Sequence, residues 1–405
     1  MRVLLIGSGG REHALAWKLR QSPLLDELHA APGNPGIAGL GECHPVRAED
    51  GEGLLDLARG LEADLVVVGP EAPLVSGVAD ELRHAGVRVF GPGREAAQIE
   101  GSKTFAKDVM RAAGVPTAAT LAVARPPCVV KVDGLAAGKG VFVCPDQASL
   151  DEALRSVARL GQPLVIEELL EGAEVSLFAL ADGSNAVALA PARDYKRIGD
   201  GDTGPNTGGM GACSPVEGMS AADAEELLQT VHRPVLAELA SRGRPFVGLL
   251  YAGLMLTEAG PKALEFNCRF GDPETQAILP RIDGDLLEAL AAAADGDLGG
   301  TTISTREDAA VTVVLASRDY PERGDSGTPI EGADDAAAAA LVFHAGTAVR
   351  GGQLATNGGR VLNVTGLGPT LDAARETAYA ACASISFDGM QYRRDIATRT
   401  ADVAT

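Results

Sequence analysis

Lysine is scarce in this chain, with seven residues against 28 arginines, and acidic residues leave a formal net charge of −20. So negative a protein is a poor unaided binder of nucleic-acid backbone. Any phosphorylated ligand must be met by local positive charge or by backbone N–H groups. The six cysteines (Cys43, Cys128, Cys144, Cys213, Cys268 and Cys382) include no C-x-x-C pair. That speaks against a cysteine zinc site and against a disulfide framework. Aromatics make up only 4% of a composition that is 46% hydrophobic, as in an Ala/Val/Leu-rich globular protein. No apolar run approaches the roughly 20 residues that cross a bilayer. The apolar start Val3-Leu4-Leu5-Ile6 is cut off by Gly7-Ser8-Gly9-Gly10 too early for a secretory signal. A cytoplasmic location is therefore expected. At 405 residues, two to four domains or subdomains are expected, and no internal repeat is visible.

Residues 1 to about 100 alternate strand and helix. Val3–Ile6, Leu65–Val68 and Val87–Phe90 read as buried strands, and Glu12–Gln21 and Val75–Ala85 as helices. This rhythm predicts a doubly wound parallel sheet, with ligands at its carboxyl edge near Gly69-Pro70 and Gly91-Pro92. A helix over Gly101–Ala113 follows. Strands with glycine turns then predict a small α+β lobe over about 117–190, with one helix at Leu150–Leu160. Residues 191–215 lack hydrophobic periodicity and read as a functional loop. Beyond them come a helix over Ala221–Ser241, strands Leu249–Leu256 and Lys262–Asn267, and a helix over Asp285–Ala294. The tail from about 309 predicts a further small unit, with strands Ala310–Leu315 and Val361–Val364 and a helix at Thr370–Ser384.

Four stretches carry chemistry. In Leu264-Glu265-Phe266-Asn267-Cys268-Arg269-Phe270-Gly271-Asp272-Pro273-Glu274, strand alternation sets Glu265 and Asn267 on one face. Two hard oxygen donors there suit Mg²⁺ held against nucleotide phosphates. Gly7-Ser8-Gly9-Gly10-Arg11-Glu12-His13 is a glycine-rich strand-to-helix turn able to meet an anion. It departs from the dinucleotide fingerprint, because Glu12 takes the third glycine's place and no acid ends the second strand. A mononucleotide or sugar phosphate fits better, with a ligand-free tight turn as the alternative. Lys131 and Lys139 flank a glycine loop that is not a Walker A motif; it reads as a phosphate clamp or as a surface hairpin. Glu167-Glu168-Leu169-Leu170-Glu171-Gly172-Ala173-Glu174 reads as a charged hairpin or as the wall of a nucleoside site. Arg193, Lys196, Arg197 and Arg269 add positive charge near the glycines of Thr203–Gly211.

Taken in order, G-S-G-G-R-E-H-A, V-V-G-P-E-A-P-L-V, Gly101-Ser102-Lys103, the Lys131–Gly140 loop, D-T-G-P-N-T-G-G-M-G-A, E-F-N-C-R-F-G-D-P-E-T-Q, F-H-A-G-T and T-N-G-G-R-V-L resemble the glycinamide ribonucleotide synthetase family of the ATP-grasp superfamily. The likeness runs end to end. It implies an α/β ATP-grasp ligase with a Rossmann-like N-terminal domain (1–101) and an ATP-grasp region (102–308) that includes the lid. A C-terminal α+β domain (309–405) completes it. The implied reaction joins glycine to 5-phosphoribosylamine through glycyl phosphate, consuming ATP with Mg²⁺ (or Mn²⁺).

By resemblance, Lys103, Lys131, Gly138 and Lys139 attend the ATP phosphates, and Glu167 accepts from the adenine amino group. Glu168 and Leu170 offer backbone atoms to the ring, and Glu174 holds the ribose. Glu265 and Asn267 hold the metal. Gly9, Gly10, Arg11, Glu71, Pro73 and Leu74 hold phosphoribosylamine, and Arg269 meets the glycine carboxylate. Asp194, Lys196 and Asp272 line the junction as further catalytic candidates. The expected partners are these small molecules, without nucleic acid or membrane, acting on a monomer. Two departures stand out: Tyr195 occupies a position where the family usually has histidine, and no acid lies on the strand before Glu265. The competing readings are another ATP-grasp ligase and an NAD-binding regulator built on the first domain.

Overall fold

The computed structural model describes residues 1–135, 140–158 and 161–398. The N-terminal sheet is wholly parallel, in the order 42–43, 27–32, 2–7, 65–68, 89–90. Leu65–Val68 is buried along its whole length, as a strand covered on both faces must be. The first helix begins at Gly10, two residues before the expected start. Gly9 caps it, with its N–H donating to Glu12 Oε2 at 2.6 Å. The expected helix Val75–Ala85 is instead two, Glu71–Ser76 and Val78–His84. Gly77 breaks it at φ +98°, and a Cβ there would lie 2.6 Å from Arg94 Nε.

The lid is a three-stranded antiparallel sheet ordered 141–144, 128–132, 164–168. The helix Gln147–Ala158 covers it, over a core that includes Cys128, Val130, Leu150 and Val157. Strands 186–188, 173–182, 247–257 and 260–267 form a second antiparallel sheet. The expected helix 221–241 is interrupted by a π-helical turn, Leu228–His232. Pro234, just beyond it, cannot donate the next backbone hydrogen bond, so the ladder widens there.

The largest departure concerns residues 191–215. Four short strands lie there, and two of them, Arg193–Asp194 and Gly211–Ser214, enter the C-terminal sheet. Its order is 193–194, 211–214, 309–316, 360–368, 341–344. Thus the C-terminal sheet takes two strands from mid-chain, and they carry Asp194 with them. The helix Leu371–Cys382 packs directly on that sheet, because Gly366 lets Ala374 approach; a Cβ there would stand 2.2 Å from Ala374 O. Among the described residues, no helix is long and apolar enough to cross a membrane.

Candidate active site

A cavity of about 610 Å³ runs between the lid and the second antiparallel sheet, lined among others by Lys103, Lys131, Glu167, Glu265 and Arg269. Glu265 and Asn267 stand opposite Gly253 and Tyr251 on the neighbouring strand, and both line this space. Burial opposes charge on Glu265, but Lys196, Lys131 and Lys103 outweigh it and hold the carboxyl below its ordinary range. An ionised carboxylate beside an amide oxygen is a hard-cation donor set. The residues present therefore fit a Mg²⁺ ion.

The lysine wall is built around one carboxylate. Glu167, 2% exposed in its side chain, receives Lys107 Nζ and Lys131 Nζ, each at 2.8 Å. Lys131 also donates to Leu264 O at 2.8 Å, which ties the lid strand to the metal strand. Lys107 donates to Ala118 O at 2.6 Å. Lys103 reaches Gly134 O at 2.9 Å. Glu167 lines the cavity with one ammonium group on each carboxylate oxygen, which leaves acceptor sites on both for the adenine amino group expected there. Glu168 has its N–H on Ala119 O at 3.0 Å and its carboxylate on Lys262 at 3.0 Å. Leu170 and Glu174 line the cavity as expected. The Glu174 carboxylate forms a close ion pair with Lys196, which lies 3.7 Å from Glu265. Gly138 and Lys139 fall outside the described residues.

On the opposite flank the charges are guanidinium groups. Arg269 pairs with Glu71 at 3.2 Å and Glu100 at 3.1 Å, and donates to Phe270 O at 3.1 Å. These contacts occupy three of its five N–H donors and leave two. Burial works against the charge on Glu71, yet Arg269 and Arg11 overcome it and bring its carboxyl down to about 2. Arg11 is buried against Glu12 at 2.6 Å and also donates to Phe270 O at 3.2 Å. It therefore braces the Arg269–Phe270 turn with two of its five N–H donors. The Gly9 N–H is likewise taken by Glu12. That carboxylate fills the helix N-terminus: a Cβ at Gly69 would lie 2.2 Å from Glu12 Oε1. A carboxylate on the Gly9 N–H competes with a pyrophosphate for the helix N-terminus, which speaks against the dinucleotide alternative.

Gly10 packs on Asn363, where a Cβ would stand 2.2 Å from Nδ2. Gly10, Pro73 and Leu74 line neither cavity. A second cavity of about 600 Å³ opens beyond Gly9, among Asn34, Arg323, Gly346, Thr347 and Arg360. Asp272 and Arg360, paired at 2.9 Å, border both cavities. Asp194 borders the first with a buried Oδ1 that has no hydrogen-bond partner. Burial and the nearby Glu274 push its carboxyl up. Tyr195 faces away from this chemistry, in the C-terminal core. Its hydroxyl accepts from Ala397 N at 3.0 Å, and the Arg193 and Arg393 guanidinium groups lie 5.0 and 5.1 Å from its ring centroid.

Sequence reading missed Lys107, Glu100 and Arg360. Lys107 had a usable signal, because it lies four residues after Lys103 on one helix and so shares its face. Glu100 and Arg360 reach the site only through tertiary packing.

A lid of antiparallel strands facing a second antiparallel sheet, with Lys131 on one and the Glu265–Asn267 pair on the other, is the arrangement of an ATP-grasp ligase. Family models match in three parts: the phosphoribosylglycinamide synthetase N domain over residues 1–100, its ATP-grasp (A) domain over 101–275 and its C domain over 310–399. The chain belongs to the phosphoribosylglycinamide synthetase family. It is 51% identical over 418 residues to a phosphoribosylamine–glycine ligase of Streptomyces coelicolor, covering 99% of this chain and 100% of that one. A Rhizobium meliloti relative of the same name is 50% identical over 419 residues, covering 98% of both chains. Among solved structures, the Thermotoga maritima phosphoribosylamine–glycine ligase matches with a TM-score of 0.84 at 36% identity, over 98% of this chain and 100% of that one.

Proposed function

We propose that this protein ligates glycine to 5-phosphoribosylamine at the expense of ATP, giving glycinamide ribonucleotide, ADP and phosphate in purine biosynthesis. The observation that carries the reading is the ionised Glu265 beside Asn267, set in one cavity with Lys103 and Lys131. Family membership supplies the substrates.

ATP lies along the lysine wall, with adenine toward Glu168 and Leu170 and ribose toward Glu174. Lys103 and Lys131 meet its phosphates as point charges, and Lys139, outside the described residues, is assigned the same task. Glu167 holds Lys107 and Lys131 in place. Glu265 and Asn267 would hold Mg²⁺ (or Mn²⁺), which neutralises phosphate charge when bound. The two spare N–H groups of Arg269 face the glycine carboxylate, and Glu71 and Glu100 fix the fork. A glycine carboxylate oxygen attacks the γ-phosphorus, and ADP leaves.

The second cavity takes phosphoribosylamine, with its phosphate toward Arg323, Gly346 and Thr347 and its amine toward Asp272. There Gly9 and Asn34 form one wall and Gly10, Pro73 and Leu74 support it, while Arg11 and Glu71 act from the first cavity, which they line. The amine attacks the acyl carbon, phosphate departs, and the released proton leaves with it. No strong base is required, because a carboxylate is already ionised and an amine can bind neutral. Positioning and charge stabilisation carry the rate, and Asp194 and Lys196 shape the junction. Water must be excluded, since an acyl phosphate hydrolyses; the Gly134–Gly140 loop, part of which lies outside the described residues, is assigned that task. The domains are read as 1–101, 102–308 and 309–405, acting in the cytoplasm as a monomer.

The test is ADP release measured with a panel of amino acids and freshly made phosphoribosylamine. Release should require both glycine and the amine. Full-rate release with another amino acid and none with glycine would refute the assignment.

A further inference from the structure

At the outer edge of the N-terminal sheet three side chains converge that the ligase chemistry does not use. His29 stands on the strand Glu27–Pro32, and Glu42 is its register partner on the edge strand Glu42–Cys43. His44 follows, its N–H donating to Ala30 O at 2.8 Å. His29, Glu42 and His44 line neither cavity. His29 Nδ1 and His44 Nε2 lie 3.0 Å apart, and Glu42 Oε2 is 3.8 Å from His29 Nδ1. Ligand atoms of all three fall within 4.8 Å of one another, which no other group of three His, Cys, Asp or Glu side chains achieves among the described residues.

Two imidazole nitrogens aimed at each other need either one hydrogen or one cation between them. With Zn–N bonds of about 2.0–2.1 Å, tetrahedral neighbours stand about 3.3–3.4 Å apart, so binding asks the two rings to part by a few tenths of an ångström and turn their lone pairs toward one point. The other nitrogen of His29, Nε2, lies 3.4 Å from Glu27 Oε2. A proton on Nε2 directed at that carboxylate leaves the Nδ1 lone pair facing His44. This is the carboxylate–histidine arrangement that orients metal-binding imidazoles. His29 is 7% exposed, so packing holds its ring, whereas Glu42 is exposed and can swing inward.

We propose that His29, His44 and Glu42 bind a borderline divalent transition metal of the Zn²⁺ type, with water completing the shell. The nitrogen donors disfavour Mg²⁺ and Ca²⁺, which take oxygen ligands. On binding, the hydrogen shared by the rings is displaced, and His44 carries its proton on Nδ1. The ion ties the two-residue edge strand to its neighbour. No cysteine takes part, so the lack of C-x-x-C pairs does not bear on this site.

The test is a Co²⁺ titration of the metal-free full chain at neutral pH, with Mg²⁺ in excess. Expected are the intense visible bands of four-coordinate, nitrogen-ligated Co²⁺, saturating at one equivalent and displaced by Zn²⁺. Zn²⁺ should also raise the melting temperature. Glu265→Gln keeps both signals. His44→Gln weakens binding at least tenfold, and Glu27→Gln weakens it about tenfold through the His29 ring; melting of each metal-free variant verifies its fold. Unchanged affinity in His44→Gln overturns the proposal. So do weak octahedral bands alone, competition by Mg²⁺, or a thiolate charge-transfer band reporting Cys43.

Discussion

Two buried ion clusters line the nucleotide cavity, and they are built in opposite ways. In the first, Lys107 and Lys131 share the single carboxylate of Glu167, which leaves positive charge unbalanced. In the second, Arg11 and Arg269 meet Glu12, Glu71 and Glu100, so carboxylates outnumber guanidinium groups. The lysine cluster retains capacity for an incoming polyanion. The arginine cluster spends half of its ten N–H donors on its own carboxylates and on the Phe270 carbonyl, and serves as a rigid frame as well as a binding face. A compact ammonium suits the first task and a planar five-donor fork the second.

The largest expected effect tests what the unbalanced charge is for. Glu265→Ala should lower ADP formation by at least about 10²–10³-fold while the melting curve stays in place, as a coupled assay and circular dichroism would show. Next, Glu167→Gln strands two ammonium groups at one buried point. It should cost about 3–5 kcal/mol in urea denaturation; a loss under about 1 kcal/mol would mean that the lysines do not depend on this carboxylate.

Glu71→Gln should cost less, about 1–3 kcal/mol, because Arg269 keeps Glu100 and Arg11 keeps Glu12. The Glu71 contribution also has a pH signature. Its carboxyl lies at about 2 in the folded protein, below its unfolded value, so its stabilisation is complete above roughly pH 5 and fades as pH falls toward 2. Denaturation midpoints across that range should flatten in the variant, and parallel curves would break the comparison. Smallest in stability is Asp194→Asn. Burial and Glu274 raise this carboxyl, so its contribution is present at low pH and is lost as pH rises through the folded value. The amide removes that penalty, so the variant should be no less stable than the parent at pH 7, lose less on the alkaline side, and still lower ADP formation.

Much of the site could be read along the chain because its donors are local. Glu265 and Asn267 share a face by strand alternation alone, and Lys131 adjoins its glycine loop. The buried runs Leu65–Val68 and Cys128–Val132 became the strands that their apolar, β-branched residues predict. Other features had no local signature. Thr203–Gly211 is rich in glycine and polar residues, so nothing in its periodicity announced strands; Thr203–Asn206 pairs locally with Arg197–Gly199, while Gly211–Ser214 is held by a partner about a hundred residues away, Ala212 against Thr312. Glu12 could be seen to spoil a dinucleotide fingerprint, but not to fold back and occupy the anion's place.

Residue type and short-range spacing thus settled which groups could handle phosphate and metal, since strand and helix periods are properties of neighbouring residues. Which of those groups stay free for a ligand was decided by packing alone. Glu167, Arg11 and the Gly9 N–H each looked available in the chain, and each is engaged by a partner in the fold. The reason is physical: a buried charge or N–H is costly unless paired, and its partner is chosen by the tertiary fold.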